Sequence, residues 1–219
     1  MNREAYSRSL NELKEKLLRM AEAVEISIDQ SVRSLANLDK ELAQKTLDRD
    51  VEIDQMDLEI GNKAITLIAT QQPVAKDLRK IAAAMHISKD LERMADLACN
   101  LARVTIDFVD ENLTLYKPLV DIPNMAKLTQ EMVHDGINSY ITENVDLARK
   151  MAEKDDEVDR IYQEILDELV EYMTENNKHI KEAMKFAFVA RFLERMSDLA
   201  TNIGEYVTYI VEAKKADLN

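Results

Sequence analysis

The sequence contains few of the residues that interrupt helices or build sheets. Its 219 residues include three glycines, three prolines and no tryptophan, and only 5% of them are aromatic. β-Sandwiches, barrels and wound α/β sheets need frequent turns together with β-branched or aromatic strands. The composition therefore predicts an all-α protein, and its 46% hydrophobic residues are enough to form a substantial core.

Cysteine, long apolar runs and positive charge are also scarce. The single Cys99 excludes an internal disulfide, and its place in a helical stretch predicts a small buried side chain. No stretch approaches the ~18 apolar residues of a membrane span, and the chain starts without an apolar leader, so we expect a cytoplasmic protein without direct membrane insertion. The 42 acidic residues outnumber 29 basic ones, and a net charge of -13 argues against binding to nucleic acid.

Apolar residues recur at helical spacing in six segments. Asp39 is a suitable N-cap for the second segment, and Pro73 ends that segment because proline disfavours a helical residue before it. A stretch that includes Pro118 and Pro123 breaks the pattern near the middle of the chain. The predicted helices run from about Leu10 to the break at Asn37-Leu38-Asp39, from there to Gln71-Gln72, and over about 78–109, 125–142, 145–173 and 180–211, with a turn at Asn176-Asn177 before the last.

The two halves of the chain repeat each other. A shift of 105 residues aligns Asp50-Val51-Glu52-Ile53-Asp54 with Asp155-Asp156-Glu157-Val158-Asp159, and a shift of 102 aligns 91–100 with 193–202. Three long helices with short connections in each half predict an elongated pair of tandem three-helix bundles related by this internal repeat. Residues 1–112 are assigned to the first bundle, 113–124 to a linker and 125–219 to the second bundle.

Pairs of acidic residues four positions apart are the main candidate functional feature. Random placement of so many acids would give roughly 8 such pairs, so the spacing alone is weak evidence. Two further pairs, Glu25/Asp29 and Glu131/Asp135, are not repeated, and we interpret them as solvated helix faces. Four pairs do recur in both halves, and they lie at the edge of the apolar face of their helices: Asp50/Asp54, Glu92/Asp96, Asp155/Asp159 and Glu194/Asp198.

Carboxylates that converge between two helices must take up protons, pair with basic side chains or coordinate cations. A group of oxygen ligands suits magnesium, manganese, calcium or iron, with Asn100 or Asn202 as a further possible donor. The alternative is an ion-pair network with the basic side chains nearby, namely Arg49, Arg93, Lys154 and Arg195. Both alternatives stay open at this point.

Enzymatic chemistry has little support in the sequence. Di-iron carboxylate proteins use two Glu-x-x-His motifs, whereas this chain has one, Glu131-Met132-Val133-His134, without a repeat counterpart. A glycine-rich phosphate loop, a nucleophile elbow and a Cys-x-x-Cys motif are all absent from the sequence. We therefore expect a protein that is not an enzyme, and keep a metal-free helical adaptor and, with less support, a di-iron carboxylate enzyme as alternatives.

Three segments resemble the PhoU family of phosphate-signalling regulators, and the resemblance covers nearly the full chain. They are Thr70-Gln71-Gln72-Pro73-Val74-Ala75-Lys76-Asp77-Leu78-Arg79, Asp90-Leu91-Glu92-Arg93-Met94-Ala95-Asp96 and Leu193-Glu194-Arg195-Met196-Ser197-Asp198-Leu199-Ala200-Thr201-Asn202-Ile203. The segment Gly61-Asn62 departs from the family, which commonly has helix-favouring charged residues there.

The resemblance implies properties that composition and spacing do not supply. The family's acidic motifs, which hold divalent or trivalent metal ions, fall on the eight repeated carboxylates, with iron, zinc, manganese and magnesium as candidates. It also implies a homodimeric cytoplasmic regulator that contacts the ATPase subunit of the phosphate ABC transporter and a sensor histidine kinase. Such a regulator represses phosphate uptake and the starvation response when phosphate is plentiful.

Overall fold

The computed structural model describes residues 3–115, 121–175, 177–214 and 218. This part of the chain is helical, with no strand, and it confirms the predicted all-α architecture of two elongated three-helix bundles. A short 3-10 helix, Asn177–His179, precedes the last helix. The six α-helices are α1 (Arg3–Asn37), α2 (Lys40–Gln71), α3 (Ala75–Asp110), α4 (Asp121–Thr142), α5 (Val145–Glu175) and α6 (Ile180–Glu212).

The first connection of each bundle is built in the same way. Leu38 takes a left-handed conformation with φ 51°, and Glu143, 105 residues later, has φ 55°. Asp39 then caps α2 by accepting a hydrogen bond from the Leu42 amide at 2.9 Å, and Asn144 caps α5 through the Leu147 amide at 3.0 Å. Because left-handed residues end helices and Asp or Asn side chains begin them, these short connections confirm the expected cap at Asp39.

Each helix packs against the two others of its own bundle, and α3 with α6 and α1 with α4 join the bundles. The longest helix, α3, has 36 residues and so extends about 54 Å. Buried apolar residues form one continuous cluster that runs through both halves, from Leu13 and Ile53 to Leu193 and Val207. The bundles are therefore fused along a shared core, which fixes the relative positions of α3 and α6.

Some predicted boundaries differ in the structure. α4 begins at Asp121 rather than near Met125, because Pro123 fits the first turn of a helix, where its missing amide hydrogen is not needed. Residues 116–120 of the predicted linker, with Pro118, and Asn176 of the predicted turn lie outside the described residues. The domain boundaries themselves stay a prediction.

Two further features bear on the class of protein. Cys99 is a free, buried thiol, 1% exposed, as its helical context predicts. Among the described helices, none combines the length and the apolarity that a membrane span requires.

Candidate metal centres

In the first bundle, α2 and α3 run antiparallel and bring acidic residues from both helices together. Contacts join Ser88 to Asp57, with 2.7 Å between oxygens, and the Cys99 thiol to the carbonyl of Thr46 at 3.7 Å. Asp50 lies between these two contacts on α2. Burial and the charges of Asp96 and Asp54 raise its pKa. The same antiparallel register puts Asp54 at about the level of Glu92, so the four predicted carboxylates of this half lie along one edge of the α2–α3 interface, with Asp54 and Asp96 exposed.

In the second bundle, α5 and α6 repeat this arrangement with deeper burial. Asp155 is 7% exposed, and burial together with the charges of Asp159 and Asp198 raises its pKa to about 6, although the Ser197 hydroxyl opposes the shift. Burial and the charges of Asp198 and Asp159 also raise the pKa of Glu194, and burial and Asp159 raise that of Asp198. The charges of Asp159 and Asp198 therefore reach the other carboxylates of this cluster.

Four of the eight carboxylates have an oxygen that is buried without a hydrogen-bond partner. These oxygens are Oδ1 of Asp50, Oε2 of Glu92, Oδ1 of Asp155 and Oε2 of Glu194. They occupy matching positions in the two repeats. Since buried polar atoms in proteins are nearly always satisfied, unsatisfied carboxylate oxygens at repeated positions fit a cation as the missing partner.

Most of the predicted neutralising network is engaged elsewhere. Arg93 pairs with Asp90 at 3.2 Å rather than with Asp96. The Lys154 ammonium lies 3.0 Å from both Glu131 and Asp135. This arrangement corrects the reading of those two acids as solvated side chains, because both are half-buried around Lys154.

The other two predicted basic residues, Arg195 and Arg49, neutralise the carboxylates less than a direct ion pair would. The charge of Arg195 lowers the pKa of Asp198, but burial and Asp159 outweigh it. The Nε of Arg49 is buried without a hydrogen-bond partner. The four basic side chains predicted from the sequence therefore leave the clusters largely unneutralised.

Two basic residues that the sequence reasoning missed do touch the clusters. Lys89 lies 2.7 Å from Glu92, and Arg191 pairs with Glu194. They stand 102 residues apart, at equivalent positions of the repeat, and each lies three residues before its glutamate. The repeat combined with this helical spacing was a signal that could have identified them.

The clusters supply suitable donors without a preassembled ligand shell. Within the described ranges, no group of three or more His, Cys, Asp or Glu side chains is close enough to hold a metal ion as it stands. The oxygen of Asn100 accepts a hydrogen bond from Arg103 at 2.7 Å, while Asn202 is half-buried on α6. Coordination would therefore require the carboxylates to turn toward a cation. Lys89 and Arg191 would have to move away from their glutamates.

Both clusters border one groove between the bundles. Asp96 and Asp198 line it together with Arg93, Arg195 and Asn100, and its volume is about 440 Å³. One residue of each cluster, Asp96 on α3 and Asp198 on α6, thus lies at the α3–α6 contact, which the repeat alone does not reveal.

A buried polar contact crosses the same interface. Asp90 is 2% exposed, and Oδ2 of Asp90 accepts a hydrogen bond from the Tyr206 hydroxyl at 3.0 Å. The Tyr206 ring stacks on His86 with 5.4 Å between ring centroids. The repeat counterparts of Asp90 and Tyr206 are Phe192 and Val104, so a search based on repetition could not find this contact.

Comparison with known proteins gives one consistent result. The family model for the PhoU domain matches residues 17–105 and 122–207. A "Phosphate-specific transport system accessory protein PhoU homolog" of Clostridium acetobutylicum is 36% identical over 220 residues, covering 100% of both chains, and the Aquifex aeolicus protein of the same name is 39% identical, covering 94% of this chain and 93% of its own.

Solved structures agree with these relatives. The crystal structure of PhoU from Pseudomonas aeruginosa matches with a TM-score of 0.90 and 32% identity, covering 95% of this chain and 100% of that one. The phosphate transport system regulatory protein PhoU from Streptococcus pneumoniae matches with a TM-score of 0.89 and 25% identity, covering 97% and 99%.

Proposed function

The chain belongs to the PhoU family, and we propose on this premise that it is an accessory regulator of phosphate uptake. The observation that carries the proposal is the match of the whole chain, at 36% identity and 100% coverage of both proteins, to a phosphate-specific transport system accessory protein. The two segments that match the PhoU domain, residues 17–105 and 122–207, correspond to the two bundles of the fold.

The protein acts by binding rather than by turnover, as a cytoplasmic homodimer. Its partners are the ATPase subunit of the phosphate ABC transporter and a sensor histidine kinase, whose activities it restrains when phosphate is plentiful. Burial of the one thiol supports a binding role, because it raises the pKa of Cys99 to about 12 and leaves a poor nucleophile. The net charge of -13 supports control through protein partners rather than through promoter DNA.

Metal binding is the second part of the proposal. In the first bundle Asp50, Asp54, Glu92 and Asp96 would hold the ions. Bound divalent or trivalent ions, with iron, zinc, manganese and magnesium as candidates, would supply positive charge that neutralises each cluster. The corresponding residues of the second bundle are Asp155, Asp159, Glu194 and Asp198. The buried oxygens without hydrogen-bond partners support this assignment.

The double variant Glu92→Gln/Asp96→Asn tests the metal assignment. Elemental analysis of protein purified without added metal should show less metal than in wild type, with unchanged helicity by circular dichroism, because the amides keep size but lose charge. Glu25→Gln/Asp29→Asn is the matched control, since it has the same spacing without repetition. Equal metal content in wild type and the first variant would refute the assignment.

A metal-free helical adaptor is the second candidate function. It is favoured by the lack, among the described residues, of a ligand group tight enough to hold an ion as it stands. Chelation distinguishes the two candidates, because removal of metal should change partner binding only if metal shapes the protein. An unchanged affinity after complete chelation would support the adaptor.

Gene deletion tests the regulatory role. Loss of the protein should derepress phosphate uptake and starvation genes at high phosphate, and this effect should disappear when the partner kinase or transporter is also removed. Intact phosphate control in the deletion strain, or specific binding of the purified protein to the promoters at physiological salt, would refute it.

A further inference from the structure

The outward face of α2 carries a row of exposed apolar side chains. Val51, Leu58 and Ile65 are spaced seven residues apart and are 71%, 61% and 56% exposed. They lie on the side of the helix opposite Ile53 and Ile60, which are fully buried in the core. We call these three residues the α2 ridge. Single exposed apolar residues are common, but a row at heptad spacing is the pattern of a helix that packs against another helix.

The α2 ridge is absent from the second bundle. The repeat counterparts of its three members on α5 are Asp156, Gln163 and Val170, so two of the three positions are polar there. Val170 alone remains exposed and apolar, at 59%. Because the two helices share the same buried face, the core does not require the ridge, and its presence on α2 needs a separate cause.

A groove between α2 and α3 adjoins the ridge. It measures about 470 Å³ and is lined by Leu58, Gly61, Ile65, Ala82 and Met85 among others. A Cβ added at Gly61 would meet nothing within 4 Å, so neighbouring atoms do not require a glycine there. Glycine in a helix interior lowers stability relative to alanine, but it allows another backbone to approach closely. Gly61 therefore gives the groove the depth that an incoming helix needs.

The charges near the α2 ridge favour some binding partners over others. Lys63 is the one basic residue between positions 50 and 75, and it pairs with Glu12. The same segment carries five acidic residues, Asp50, Glu52, Asp54, Asp57 and Glu59. Lys16 and Arg19 of α1 and Lys89 of α3 also border this surface, and Lys16 pairs with Glu59, so these five acids and Glu12 outnumber four basic side chains. A second copy of this face, or an anionic membrane surface, would bring like charges together, whereas a basic helix would complement them.

We propose that the α2 ridge and the adjoining α2–α3 groove bind an amphipathic helix of a partner protein, with apolar residues toward α2 and basic residues at its flanks. The proposal rests on the proposed function only in that the protein works through contacts with other proteins, and it requires no metal. It assigns the contact to the first bundle alone, because α5 lacks the ridge.

A designed helical peptide serves as the probe. The peptide carries leucines at i, i+3, i+4 and i+7 and lysines at the flanks, and a matched peptide carries glutamates in place of the lysines. Fluorescence anisotropy should show the lysine peptide binding roughly tenfold tighter than the glutamate peptide, with the difference shrinking as salt rises. Equal affinities, or a preference for the glutamate peptide, would overturn the charge argument and the proposal with it.

Variants locate the contact. Gly61→Leu should fill the groove without disturbing the fold, and Leu58→Gln/Ile65→Gln should remove the apolar ridge; each should weaken binding of the lysine peptide by roughly tenfold or more. Val170→Gln is the control, since it makes the equivalent change on α5 and should leave binding unchanged. Circular dichroism and thermal melting verify that each variant is folded.

Two results would overturn the assignment of the surface. One is unchanged peptide binding by folded Gly61→Leu and the double variant alike. The other is dissociation of an oligomer by the double variant in sedimentation, since the occupant would then be a second copy of the chain. Both readouts use purified protein, so they fail or succeed independently of phosphate control in the deletion strain.

Discussion

Replacing Asp155 by Asn is expected to stabilise the metal-free protein at neutral pH. The carboxyl is 7% exposed, and burial together with neighbouring Asp159 and Asp198 raises its pKa from 3.8 to about 6. Each pKa unit corresponds to 1.36 kcal/mol, so keeping Asp155 ionised in the folded state costs about 3 kcal/mol at neutral pH. The neutral Asn side chain removes this cost while keeping nearly the same size.

The effect has a defined pH dependence. A raised pKa in the folded state means that the folded protein binds more protons than the unfolded chain between pH 3.8 and about 6. The contribution of Asp155 to stability therefore falls as pH rises through this window and is constant above it. The stabilisation by Asp155→Asn should be close to zero below pH 4 and approach about 3 kcal/mol above pH 7.

Urea denaturation in the presence of a chelator, at pH 4 and pH 8, measures both values. Glu157→Gln is the control, because it removes an exposed carboxylate from the same helix and should change stability by less than about 0.5 kcal/mol. An equal stabilisation at both pH values, or a destabilisation at pH 8, would show that Asp155 is not held ionised at a cost. If metal binds as proposed, the sign should reverse in its presence, since the variant would lose one of the proposed ligands.

Three further outcomes follow from the structure. Tyr206→Phe removes the hydroxyl bound to Asp90 and should cost about 1–3 kcal/mol in urea denaturation, whereas no change would show that Asp90 is satisfied without it. Cys99 should resist iodoacetamide at pH 8 in the native protein and react once urea unfolds it, because burial raises its pKa to about 12; rapid native labelling would contradict the burial. Glu143→Gln removes ion pairs with Lys80 at 2.5 Å and with Lys76 at 2.6 Å that tie α3 to the α4–α5 connection, and should lower the free energy of unfolding in urea by about 1 kcal/mol or less; a rise would contradict it.

The helices and their pairing could be predicted from the sequence because local signals and the repeat agree. Apolar spacing identified all six helices, and Asp39 marked the start of α2 through its side-chain chemistry. The start of α4 was misplaced by four residues because Pro123 was read as a break, although proline is equally suited to a first helical turn. Spacing alone cannot decide between these two roles of proline.

The candidate site also has parts that could be predicted from the sequence and parts that could not. Repetition selected eight carboxylates, four of which have a buried oxygen without a hydrogen-bond partner, and helical spacing could have added Lys89 and Arg191. The contact between Asp90 and Tyr206 joins residues 116 positions apart on helices of different bundles. Its members are not repeated and are not close in sequence, so it follows only from the packing of α3 on α6.

Comparison of the two repeats distinguishes a feature that both bundles have from a surface that only the first bundle has. Each bundle keeps its carboxylates and also the basic residue three positions before the glutamate, Lys89 in one and Arg191 in the other. Retaining a counter-charge beside an acidic cluster at both positions indicates that the balance of charge in the clusters, and not acidity alone, is constrained. The α2 ridge shows the opposite behaviour, because two of its three counterparts on α5 are polar. A partner that binds the α2 ridge can therefore distinguish the two bundles. An ion at the proposed carboxylate sites would meet nearly the same ligands in both bundles.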